Sequence, residues 1–279
     1  MAKRQGGAGD LNFGGTFNNP GRITAFTGGT INVQTFDATL KGGGQVALLD
    51  FADDDFINVP TSLTLTNVDN TISGAGGLQG LGTLINQAGG TINANLPAIA
   101  PLHILLPVKN SGLMEATVSG AALIIENNVD NTGGGVIKAF DSASVEFVSA
   151  VIVGGTLIQV NKGATIGLDD DTTLDGTGTH PVTISGNYVT VGRLNLEGTI
   201  NAGGKTTFDG SFGNVLAVQA VGTSTSVTLQ GKGVIGLTRG APIEAAVRRS
   251  RSSMSTTQSK ATGPLAVPAS SSTTRPAAS

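Results

Sequence analysis

The 279-residue chain reads as all-β, specifically a right-handed parallel β-helix, or β-solenoid, followed by a disordered C-terminal tail. Three observations lead there. A glycine phrase recurs, as Gly28-Gly29-Thr30-Ile31-Asn32, Gly89-Gly90-Thr91-Ile92-Asn93 and Gly198-Thr199-Ile200-Asn201. Runs such as Leu63-Thr64-Leu65-Thr66, Val145-Glu146-Phe147-Val148 and Val182-Thr183-Ile184-Ser185 alternate apolar and polar residues between Gly, Asn and Asp, the signature of strands and turns. The third is composition: 42 glycines with 39% hydrophobic and 4% aromatic residues suit stacked strands, because glycine inside a helix costs backbone entropy.

The chain divides into three stretches. Residues 1–19 form an N-terminal segment that reads as a partial coil. Residues 20–240 are the repeat domain. There, aligning 70–75, 90–95, 112–117 and 135–140 places a large apolar residue at Ile72, Ile92, Met114 and Ile137, spaced by 20, 22 and 23 residues. A polar residue follows each (Ser73, Asn93, Glu115, Lys138) and then a small one (Gly74, Ala94, Ala116, Ala139). Period-two alternation turns the first and third inward and the middle one outward. A second row half a coil away, through Leu65, Ile85, Leu105, Ile124 and Phe147, implies at least two strands per coil. A unit this short buries its apolar face only by stacking, which is what makes a solenoid; about ten coils at roughly 4.8 Å give a rod on the order of 50 Å long.

Two further patterns belong to this stretch. Asn67, Asn86, Asn110 and Asn131 precede the inward residues and suggest an amide ladder along the rod, while the glycines serve corners by positive φ or close backbone approach. After residue 150 the period slips. Either Leu157 or Ile158 could point inward, and 167–181 reads as a long polar loop. A match between 39–48 (TLKGGGQVAL) and 228–237 (TLQGKGVIGL) suggests the start of a second copy. Residues 241–279, rich in Ser, Thr, Ala, Pro and Arg, form the disordered tail, with a short helix over 242–249 as an option.

Composition excludes several functions. A net charge of -3 without a basic, aromatic-interleaved stripe argues against nucleic-acid binding. No stretch has the roughly 18 apolar residues of a membrane span, and "MAKRQGGAGD" lacks the apolar region of a signal peptide. With no cysteine there are neither disulfides nor thiolate metal sites.

The phrases from "ATLKGGGQVALLD" through "LTLTNVDNTISGAGGLQGLGTLINQAGGTINAN" to "LNLEGTINAGG" resemble the β-strand repeats of large bacterial surface exoproteins, adhesin-like and autotransporter-passenger-like. The resemblance covers most of residues 20–237. It implies an exported, extended solenoid, outer-membrane-displayed or extracellular, and the altered language after Gly240 suggests a fragment or a frameshifted end.

Motifs for chemistry are weak by comparison. "GTINAGGKTT" misses a phosphate loop because Gly198 is one residue too far from Lys205, and "GGAGDLNF" misses the calcium nonapeptide because Asp10 comes one position early. Asp53-Asp54-Asp55 and Asp169-Asp170-Asp171 could bind Ca²⁺ or supply paired carboxylates for glycoside hydrolysis, but read as solvated turns. His103, in "PLHILLP", reads as a hydrogen-bonded strand residue and His180, before Pro181, as a turn residue. The set shared by pectin-degrading β-helix hydrolases is unmatched in its specific elements. No catalytic, cofactor-binding or metal residue is therefore assigned and no cofactor is expected. The expectation is a non-catalytic structural or adhesive segment whose partners are host or surface glycans or proteins, or neighbouring solenoid chains. The alternative is a polysaccharide-active hydrolase or lyase using the loop from Asp169 to Asp175.

Overall fold

A computed structural model of the chain describes residues 9–49, 55–97, 100–161, 163–169, 171–209, 215–220 and 226–247. Every strand pairing among them is parallel, and the strands sort into three faces wound by one chain. The first face stacks β2 (Arg22–Ala25), β4 (Gln45–Leu49), the start of β7 (Thr71–Gln79), β9 (Thr91–Ala94), β12 (Leu113–Ala116), β15 (Val136–Ala139), β18 (Gly155–Gln159), β21 (Val182–Ser185), the end of β23 (Arg193–Ala202) and β26 (Thr228–Gly231). The second stacks the first halves of β1 (Leu11–Asn18) and β3 (Thr30–Lys41), then β5 (Phe56–Asn58), the end of β7, β10 (Leu102–Ile104), β13 (Ala122–Ile125), β16 (Ser144–Val148), β19 (Thr165–Asp169), β22 (Asn187–Val191), β24 (Lys205–Asp209) and β27 (Val234–Thr238). The third takes the second halves of β1 and β3, then β6 (Thr64–Asn67), β8 (Thr83–Asn86), β11 (Val108–Asn110), β14 (Val129–Asp130), β17 (Val151–Val153), β20 (Thr172–Gly176), the start of β23, β25 (Val215–Ala220) and β28 (Ile243–Val247). The result is a parallel β-solenoid of about eight turns, with β26 to β28 stacked at its end, near the ten coils expected.

Each face contributes an aliphatic column to one core. On the first, Val46, Ile72, Ile92, Met114, Ile137, Leu157 and Ile184 stack in register, all within 4% of full burial. This is the column the repeat predicts, and Leu157, not Ile158, continues it. On the second, Ile31, Ile57, Leu78, Ile104, Ile125, Phe147 and Leu168 stack; on the third, Ala38, Leu65, Leu84, Val108, Val129, Ile152, Leu174 and Leu196. Burying each aliphatic side chain contributes about 1.5–3 kcal/mol, so the columns dominate the stability.

The expected second row needs correction. Leu65 and Phe147 point inward but lie on different faces, while Ile85, Leu105 and Ile124 point outward, their neighbours Leu84, Ile104, Leu123 and Ile125 filling the core. Aliphatic residues stand on both sides of these strands, so alternation alone does not fix their phase. The expected loop over 167–181 is also largely strand, since β19 and β20 occupy much of it and Thr172 and Thr173 are buried.

The asparagine ladder forms as expected and fixes a corner. Asn67 Nδ2 donates to Asn86 Oδ1 (2.9 Å), Asn86 Nδ2 to Asn110 Oδ1 (2.8 Å) and Asn110 Nδ2 to Asn131 Oδ1 (2.9 Å), all buried. The recurring glycine sits against this ladder. A Cβ on Gly90 would collide with Asn86 Oδ1 and one on Gly112 with Gln87 O, and neither residue has positive φ. Close approach, not left-handed backbone, therefore requires glycine in "GGTIN" at 89–93.

Two long-range readings change. Residues 39–41 lie on the third face and 45–48 on the first, whereas 228–231 lie on the first and 234–237 on the second. The matched decapeptides are thus one face out of phase and share only a strand–corner–strand pattern, with no second copy beginning. At the end, β28 pairs with β25 over 243–247, where a helix over 242–249 was an option. The rest of the tail lies outside the described residues.

Candidate functional surface

Among the described residues the inside of the rod is filled by aliphatic side chains, which directs attention to its outside. One small hollow, about 10 Å³ and lined by Leu11, Phe13, Phe17, Ile23 and other apolar residues, opens at the N-terminal end. That volume matches roughly one water and offers a ligand no polar anchor. The outward row of the first face is less uniform than expected. Asn93, Glu115 and Lys138 are part-exposed, whereas Ser73 is buried and accepts a hydrogen bond from Gln45 Nε2 (2.9 Å). Glu115 sits beside Lys138 in register; burial raises its carboxyl pKa and Lys138 only partly offsets that.

The aspartates serve the backbone. Asp55, expected in a solvated turn, is fully buried: Oδ1 accepts from Gly29 N (2.8 Å) and Oδ2 from Leu49 N (3.1 Å), tying two coils together. Asp53, Asp54 and Asp170 lie outside the described residues. Asp169 Oδ1 accepts from Val191 N (2.9 Å) and Asp175 Oδ1 from Thr177 N (2.9 Å). Asp171, at φ 64°, faces Arg193 Nε at 3.4 Å, and the same guanidinium reaches Glu244 at 3.3 Å. Among the described residues no three His, Asp or Glu side chains come together as a metal site.

The histidines behave as the sequence suggests. His103 Nδ1 contacts Glu126 Oε1 at 2.6 Å on the outside of the second face, and His180, directly after a turn at 178–179, contacts Thr179 Oγ1 at 3.2 Å. His180 also lies near Asp130. Burial would raise the Asp130 pKa, but hydrogen bonds from Thr132, with Lys109 and His180 nearby, bring it below its ordinary value. The near-phosphate-loop at 198–207 is strand: Thr199–Ala202 belongs to β23 and Lys205 opens β24.

Sequence reasoning missed two features. Glu197, buried, stands in register with Asp175 on the outer side of the third face. The alternation through Leu194 and Leu196 could have placed it, since Asn195 and Glu197 must then face out. Exposed apolar side chains also stand at the corner between the second and third faces, Phe36, Leu81 and Leu105, with Thr61 and Ser62 on the coil between the first two. Leu81 projects because Cβ atoms on Gly80 and Gly82 would collide with the backbone beneath, pressing that corner flat.

No protein family, curated protein or solved structure matches the chain.

Proposed function

We propose that the chain is a structural or adhesive segment of a secreted or surface-displayed bacterial exoprotein, without catalysis. The observation carrying this reading is the three-column core: among the described residues the chain is spent on length, its apolar side chains filling the inside and its polar positions repeating along the outside. The sequence phrases resembling adhesin-like and autotransporter-passenger-like repeats supply the bacterial-surface part. Partners would be host or surface glycans or proteins, or neighbouring solenoid chains, met along the outer rows that include Asn93, Glu115 and Lys138.

One observation favours a second reading, a polysaccharide-active enzyme. Asp175 and Glu197 occupy adjacent strands of one outer face, where backbones lie about 4.8 Å apart, close to the roughly 5–5.5 Å between the carboxyls of retaining glycosidases. The first reading is preferred because Asp175 Oδ1 is already held by the backbone N–H of Thr177. Incubating the chain with neutral and acidic polysaccharides, beside Asp175→Asn and Glu197→Gln variants, decides between them. The proposal expects no new reducing or unsaturated ends from any protein; turnover lost in the variants would replace it with the enzyme.

A further inference from the structure

On the outside of the second face an aromatic ring and a line of side-chain amides stand side by side. Two rows follow the register there. One runs from Thr30 through Phe56 and Gly77 to His103; the other, two residues further along each strand, runs from Asn32 through Asn58 to Gln79. Ile31, Ile57 and Leu78 between them point into the core, which turns both rows outward. Gly77 has no side chain to stand in the first row, and Phe56 covers it. The ring's Cδ1 and Cε1 lie 2.8 and 3.0 Å from where a Cβ of residue 77 would be, with Leu105 Cδ1 at 3.8 Å. The amides beside this apolar spot are uncommitted. Asn58 Nδ2 donates to Asn32 Oδ1 (3.2 Å), which leaves Asn58 Oδ1, Asn32 Nδ2 and the whole Gln79 amide without a partner among the described residues. No lysine or arginine belongs to either row over these coils. The charged groups at the border are carboxylates: Glu126, against His103, and Asp37, at the corner beyond Asn32, whose Oδ1 accepts from Thr64 N (2.8 Å).

We propose that this surface binds an uncharged, extended oligosaccharide lying along the rod, its ring faces against Phe56 and Leu105 and its hydroxyls on Asn32, Asn58 and Gln79. This deepens the adhesive reading of the chain and rests on it. A sugar ring supplies both halves of the match: C–H groups on its faces for the aromatic ring, and edge hydroxyls that donate and accept as planar amides do. A purely apolar partner would strip water from the amides without replacing those hydrogen bonds. Neighbouring amides in the row lie about 4.8 Å apart, so a straight β-1,4-linked chain advances by about one ring per coil and meets them in turn. An α-1,4-linked chain curls away from such a row. Glu126 and Asp37 repel an anionic sugar, and no cation of either row offsets them.

Isothermal titration of the full chain with cellohexaose tests this, with maltohexaose and hexagalacturonate as the curled and the anionic counterparts. Side-chain amide shifts in nuclear magnetic resonance locate the contact. Cellohexaose should bind at least tenfold tighter than either counterpart and move the Asn58 and Gln79 amide resonances. Gln79→Ala and Phe56→Ala should each weaken binding at least fivefold, while Lys109→Ala, on the outside of the third face, should leave it unchanged. Circular dichroism checks the fold. Where Phe56→Ala loses strand signal, Gly77→Ala, which keeps every side chain of the site but displaces the ring, should weaken binding in its place. No binding of cellohexaose, equal binding of hexagalacturonate, or an affinity untouched by Gln79→Ala would overturn the proposal. So would hexalysine moving these amides while cellohexaose does not, which would assign the surface to a basic protein partner. New reducing ends from cellohexaose would instead remove the non-catalytic reading, while the amide shifts would still uphold the site.

Discussion

Asn86 shows how much one side chain does inside the solenoid. It accepts from Asn67 and donates to Asn110, Gly90 O and Leu113 O, so its amide joins three coils. Asn86→Ala would leave several buried polar groups without partners at about 1–3 kcal/mol each, and chemical denaturation should show a loss of more than 3 kcal/mol. The core column gives a sharper contrast. Ile92→Asp puts an unpaired charge among Ile72 and Met114 and should abolish cooperative unfolding, whereas Asn93→Asp, one residue on and part-exposed, should change stability by under about 1 kcal/mol. Equal effects would mean that the strand is misphased. Glu115 adds a pH dependence of known sign. Its folded pKa lies above the ordinary 4.5, so its protonated form favours the folded chain and stability falls as pH rises through the folded value. Glu115→Gln should therefore melt higher than wild type at pH 7 and together with it at pH 4. Asp130, whose pKa is lowered from 3.8, runs the other way: Asp130→Asn should melt lower at pH 7, the difference vanishing as the carboxylate protonates.

At the scale of strands and corners, glycine is required by what lies opposite it. Gly112 has ordinary backbone angles but no room for a Cβ, while Gly21 has neither positive φ nor any atom within 4 Å of a built Cβ. Gly112→Ala should lower the melting temperature clearly and Gly21→Ala should leave it level or slightly raised, because only the second reduces unfolded-chain entropy without a clash. The same corners explain what could be read from the sequence. Ile72, Ile92, Met114 and Ile137 were legible because each is followed by a polar and then a small residue, so alternation phases the strand. Ile85, Leu105 and Ile124 were not, because "TLIN", "HILL" and "ALII" put aliphatic residues on both faces. The needed anchor was present: Leu65, Leu84, Val108 and Val129 each stand two residues before a ladder asparagine and share its inward side. For the aspartates the sequence misled in part, since Asp55 looks like a solvated turn residue until Gly29 and Leu49 arrive from elsewhere in the chain.

Over the whole molecule, stability is a sum of similar coil–coil contacts. Parallel pairing across separations of about twenty residues was legible from the period, because a coil has no other way to bury its apolar side. The three-faced cross-section was not, since the second and third strands of each coil carry no equally regular mark. Outer-surface chemistry was the least legible, because Asp175 and Glu197 meet through register between coils. The central claim is that aliphatic side chains twenty or so residues apart stack into one spine. Methyl-labelled nuclear magnetic resonance reads this directly. The structure predicts Overhauser cross-peaks linking Ile72 to Ile92, Ile92 to Met114 and Met114 to Ile137, with none between Ile72 and Ile137. Absence of the three neighbouring peaks, or a direct Ile72–Ile137 peak, would contradict it.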